Sequence, residues 1–130
     1  MPPVSRTLWL GDALALTAVS VLGFAFHNTL TSANIPRLVW SIVTVVLAWT
    51  LAAWPTAALD ANRMRHAREW WRLLWAALLA VPLALALYEF PRGRVITWAF
   101  TRALGTFALA ALVGWRVVHW GLAGRRAARA

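Results

Sequence analysis

The chain has 130 residues, 62 % of them hydrophobic and 13 % charged, with a formal net charge of +9 and no cysteine. Soluble domains carry about 25 % charged residues, and a chain this short has too much surface for so few charges to cover. A soluble globular enzyme, a disordered chain and a disulfide-stapled secreted domain are excluded; the composition is that of an integral membrane protein.

Charge-free runs place the helices in chain order. Ala13 to Pro36 is 24 residues without a charge, and Leu38 to Leu59 is 22. Leu73 to Tyr88 is 16, lengthened by Trp70 and Trp71 with Arg72 able to snorkel. Ala103 to Trp115 is 13, flanked by Arg102 and Arg116 and continued by Val117, Val118 and Trp120. Crossing roughly 30 Å of hydrocarbon at about 1.5 Å per residue takes about 20 residues. Lipid offers backbone groups no water to bond, so each block must be helical. The expected fold is all-α: a single transmembrane domain over 1–130, with helices over 8–27, 37–57, 70–90 and 98–120. Asn28 to Pro36 reads as a polar turn, Leu59 to Glu69 as the most charged connection, and Pro91 to Arg94 as a tight turn. The basic tail from Gly124 is expected to fray. Arg6 and the small residues Thr31-Ser32-Ala33 suggest a signal peptide, but Asp12 interrupts its apolar region and the run is too long. Retention as a first span is the expectation.

All thirteen basic residues are arginine. They lie between and at the ends of the apolar blocks, where they meet headgroups, so the positive charge does not point to nucleic acid. Four spans put both termini and the middle connection on one side. That side holds nine arginines and the other holds Arg37, Arg92, Arg94 and Arg102. The asymmetry predicts a multi-pass protein of the cell membrane with both termini cytoplasmic.

Ionisable groups inside apolar blocks are costly and must pair or serve function. Asp12 lies about one turn inside the first helix, and Arg116 lies at a similar depth in the fourth. Matching depth predicts an interhelical pair, which requires the first and last helices to be neighbours and closes the four into a ring. Glu89 and Arg102 match in height at the outer end across a short turn, and predict a second pair or a bridge through water or headgroups. His27, at the outer end of the first helix, is a further polar residue there. His27 and His119 lie a membrane apart, which argues against haem. His66 and His119 share a side, but two imidazoles are a weak metal signal. No cofactor and no metal are expected.

Ten tryptophans are a high number for this length. Trp9, Trp54, Trp70, Trp71, Trp115 and Trp120 lie toward one membrane face, and Trp40 and Trp98 toward the other, as an aromatic belt. Trp49 and Trp75 lie deeper and could line a lipid-like groove. Ala76, Ala80 and Ala84 in the third helix, and Ala110 with Gly114 in the fourth, allow close helix approach. Pro82 is expected to kink the third helix. No phosphate loop, nucleophile elbow, catalytic carboxylate pair or zinc signature is present in the sequence.

Gly11-Asp12 opening the first helix, His27 closing it, Trp54-Pro55 ending the second, Pro82 in the third and Gly114-Trp115-Arg116 in the fourth together carry a resemblance. The pattern resembles that of a family of small four-helix membrane proteins from bacteria and archaea, domain of unknown function 3054. It covers nearly the whole chain through short elements, each unspecific by itself. The resemblance implies a four-span prokaryotic membrane protein, carries no activity, and marks Asp12, His27 and Arg116 as the family's polar positions.

The functional expectation is a non-enzymatic accessory protein that binds membrane lipids, a second copy of itself or another membrane protein. The alternative is a protomer of an oligomeric small-molecule transporter or channel. Small multidrug transporters are similar in having four helices and an acidic residue in the first. Asp12 lies nearer the membrane edge than theirs, and the arginine bias opposes the dual topology many of them use. Lipid-linked-sugar flippases of similar size are a further transporter possibility that no motif supports.

Overall fold

A computed structural model describes the backbone of residues 2–94 and 98–127, and the side chains of these apart from 99, 100 and 122–127. Four long helices, α1 (Arg6–Phe26), α2 (Ile35–Ala53), α4 (Trp71–Glu89) and α5 (Trp98–Ala127), are joined by short connections, one of which contains the single-turn α3 (Ala61–Met64). Four segments, Arg6–Phe26, Ser32–Ala53, Ala67–Arg92 and Thr101–Gly121, are long and apolar enough to cross a membrane. The chain is an all-α, multi-pass membrane protein. Its outward surface is apolar along every span, with Leu14, Leu47, Leu78 and Phe107 all exposed.

The helices form a closed ring in which α1 packs on α2, α2 on α4, α4 on α5 and α5 back on α1. The α2–α4 contact is the most extensive, and its sequence explains why. Ala48, Ala52 and Ala53 of α2 and Ala76, Ala77, Ala80 and Ala84 of α4 are all buried, and methyl side chains let backbones approach closely. Leu16 from α1, Trp49 from α2, Leu73 from α4 and Leu112 from α5 fill the remaining centre.

Helix ends differ in instructive ways from the charge-free runs. Regular α2 stops at Ala53, four residues short of the expected end, because Pro55 has no N–H to continue the ladder. The chain then closes with Ala57 in the left-handed region (φ 57°), Ala58 N–H donating to the Ala53 carbonyl and Ala57 N–H to that of Trp54. This is the Schellman arrangement, with alanine where glycine is usual. The charged connection is ordered by hydrogen bonds. Asp60 caps α3 by accepting from the Asn62 and Arg63 N–H groups, and Arg72 donates to the Thr56 carbonyl. Ser5 N–H donates to the Leu59 carbonyl, tying the start of α1 to that connection. The basic tail is helical through Ala127 rather than frayed from Gly124, since no proline stops α5; residues 128–130, with Arg129, lie outside the described residues. Pro82 sits within α4, where its missing N–H deprives the Leu78 carbonyl of its partner, yet the helix runs through it.

Candidate functional site

One polar cluster lies inside the ring toward the end where α1 begins, with Asp12 under two turns into α1 and Arg116 about three turns before the end of α5. Asp12 and Arg116 are both fully buried. Arg116 donates Nε–H to Asp12 Oδ1 at 3.0 Å and Nη2–H to Oδ2 at 2.6 Å. This is the side-on, two-pronged geometry that suits guanidinium and carboxylate, and such charge-assisted bonds are the strong ones. Trp49 Nε1–H donates to Oδ2 at 3.1 Å. One carboxylate on α1 therefore collects donors from α2 and α5, and three of the four spans meet at it.

The local sequence makes room for the contact. Gly11 precedes Asp12, and Trp115 precedes Arg116, so the same two helix faces present both pairs. A Cβ on Gly11 would fall on the Trp115 indole, so a side chain there would push α5 away from α1. His119 stacks next on that face, its ring 5.3 Å from Trp115 and 4.7 Å from Trp120. Arg116 Nη1, Trp115 Nε1 and Trp120 Nε1 are buried with no protein partner. All three are donors, so water or an acceptor group would satisfy them.

The expectation that Trp49 lines a groove with Trp75 is corrected. Trp49 is 1 % exposed and bonded to Asp12, whereas Trp75 is 53 % exposed on the lipid-facing side. Its indole N–H is the site component that sequence reading missed. Depth was the available signal, since residue 49 of α2 reaches the level of Asp12.

The outer-end residues make no direct ion pairs with one another. Glu89, the last residue of α4, and Arg102, near the start of α5, form no direct ion pair with each other; Glu89 Oε2 is buried without a partner. Equal height by itself does not bring two side chains into contact. Arg102 is exposed and lines an open groove of about 840 Å³ between α4 and α5, together with Leu74, Leu78, Pro82, Trp98 and Phe107. His27 caps the end of α1 and is exposed, remote from His66 and His119. Among the described residues no group of three or more His, Cys, Asp or Glu could hold a metal ion. At the bundle centre a cavity of about 20 Å³ is lined by Leu16, Val45, Trp49, Ala80, Ala108 and Leu112 among others. That is room for a single water with nothing polar to hold it.

Residues 9–119 match the model of a family described as "Protein of unknown function (DUF3054)". No curated protein and no solved structure matches the chain.

Proposed function

The chain belongs to the DUF3054 family, and we propose that it is a non-catalytic accessory membrane protein, binding lipid or a membrane partner through its outward faces while the Asp12 cluster serves as a structural clasp. The carrying observation is the saturation of Asp12: both carboxylate oxygens accept, from two Arg116 nitrogens and the Trp49 indole, with neither charged side chain exposed. A carboxylate that carries protons or cations across a membrane must exchange partners with water or substrate on each cycle. Here the partners are fixed by three helices, and the central cavity is water-sized and apolar. The open groove between α4 and α5, which faces outward with Arg102 at its edge, supports binding at the lipid side. In this reading both termini lie in the cytoplasm, on the strength of the arginine asymmetry.

The test is Asp12→Asn in proteoliposomes carrying an imposed pH gradient. The expected result is no protein-dependent proton flux with either the natural chain or the variant, and a lower unfolding temperature for the variant in detergent. A flux in the natural chain that Asp12→Asn abolishes while the helical bundle stays folded would overturn the proposal in favour of a proton-coupled transporter.

A further inference from the structure

The end of the bundle opposite the clasp carries two arginines that converge on one tyrosine. Arg37, in the first turn of α2, donates Nε–H to the Tyr88 hydroxyl at 3.0 Å. Arg92, in the turn after α4, places its guanidinium carbon 3.9 Å from the centre of the Tyr88 ring and donates Nη1–H to the Tyr88 carbonyl at 3.0 Å. Tyr88 is 6 % exposed, so one buried residue contacts both cations.

Neither cation is neutralised among the described residues. Asp12 pairs with Arg116, Asp60 with Arg63, and Glu69 with Arg68 and Arg72. Glu89, beside Tyr88 in sequence, makes no ion pair with Arg37 or Arg92, and its Oε2 is buried. The aromatic contacts of Arg37 with Phe24 (5.8 Å) and of Arg92 with Tyr88 hold the groups without cancelling their charge. Depth supplies the rest. Arg37 lies five residues after the second apolar span begins at Ser32 and Arg92 ends the third, so both arginines lie near span ends, from which a guanidinium can snorkel to the phosphate layer.

The unused edges are suited to an anion. Arg37 has committed Nε and keeps its paired Nη1 and Nη2 edge. Arg92 has committed Nη1 and keeps its Nε and Nη2 edge. Each edge offers two near-parallel N–H groups that match two oxygens of one phosphate. We propose that Arg37 and Arg92, positioned by Tyr88, form a binding site for the phosphate group of an anionic membrane lipid. Phe26 and Phe90, 82 % and 78 % exposed near the same end, offer apolar surface for the lipid's chains, which a free phosphate ion would not use. The site gives a ligand class to the lipid-binding reading above and rests on it, but its test is separate, since lipid retention can fail while the Asp12 result stands.

The experiment is native mass spectrometry of the full chain released from nanodiscs of phosphatidylcholine containing about one-fifth phosphatidylglycerol, an anionic lipid. The natural chain is expected to retain phosphatidylglycerol well above its share of the bilayer. The double variant Arg37→Gln with Arg92→Gln is expected to lower that enrichment about tenfold, as loss of two charge-assisted contacts implies. Arg94→Gln, which removes an exposed charge from the same turn, is expected to leave it nearly unchanged. Should the double variant fail to fold, Tyr88→Phe removes only the hydroxyl that fixes Arg37, and an intermediate loss is expected. No enrichment in the natural chain, or an equal loss with Arg94→Gln, overturns the proposal. Displacement of the lipid by millimolar inorganic phosphate in a detergent titration also overturns it, by making the ligand a free ion.

Discussion

The two ends of the ring handle arginine in opposite ways. At one end Arg116 is sealed from solvent, and a carboxylate on another helix takes two of its nitrogens. At the other, Arg37 and Arg92 lean on aromatic rings and keep part of their donor capacity unused. Depth accounts for the difference. A cation one turn below the interface loses its water and must find a counter-charge inside the protein, while one at the interface has headgroups for partners. The same residue type is therefore ion-paired inside the protein in one place and, in the proposed lipid site, ligand-facing in the other.

The sharpest way to break that contrast is to remove half of the sealed pair. Arg116→Gln or Asp12→Asn alone leaves a buried charge without its partner, a change that typically costs about 3–5 kcal/mol. The double variant removes both charges and is expected to lose less than the sum of the two singles. Thermal unfolding in detergent, followed by helical circular dichroism, measures the cycle. Strict additivity would mean that the two side chains do not act as a unit.

How far this cluster was legible in the sequence depends on what each residue shares with its surroundings. Asp12 and Arg116 stand out because a charge in an apolar run has few explanations, and counting residues from the span ends gives each a height. The four spans are legible for the same reason: charge-free length translates directly into bilayer thickness. Trp49 was hidden because its indole looks like any of the belt tryptophans, and only its rotation toward the ring interior makes it a donor to Asp12. Glu89 and Arg102 match in height but form no direct ion pair, for the complementary reason. Height is readable from residue number, while facing depends on how helices pack around α4. The connection between α2 and α4 reads only as the most charged stretch, because its order comes from tertiary bonds, such as Arg72 to the Thr56 carbonyl, that local composition does not announce.

A second, smaller effect probes how closely the sealed end must fit. Gly11→Ala puts a methyl group where the Trp115 indole lies, so α1 and α5 must separate or the indole must turn. Overpacking of this kind costs about 1–3 kcal/mol. Because the same two helices carry Asp12 and Arg116, the strain is expected to stretch the ion pair as well. Trp115→Leu in the same chain is expected to restore part of the lost unfolding temperature, since a smaller side chain leaves space for the methyl group. Failure of that rescue would place the strain elsewhere than at the indole.

The smallest effect is expected where arginine is neither sealed nor stacked. Arg68 lies in the connection between α3 and α4, its side chain 82 % exposed and its Nε 4.0 Å from Glu69, which already accepts from Arg72 at 2.7 Å. Arg68→Gln therefore removes a redundant partner from a carboxylate that keeps its better one. Exposed pairs contribute about 0–1 kcal/mol, and a shift in unfolding temperature near the limit of measurement is expected. What Arg68 does contribute is one positive charge on the arginine-rich side. Orientation responds to the sum of such charges near the span ends rather than to any single one. Removing one of nine leaves the excess over the four opposite residues in place. A reporter fused at the C-terminus is thus expected to read the same side in Arg68→Gln as in the natural chain. Neutralising Arg63, Arg65 and Arg68 together is expected to yield a mixed population. A large stability loss from Arg68→Gln alone would mean that depth and pairing do not sort the arginines, because an exposed, redundantly paired one would then be fastening the fold.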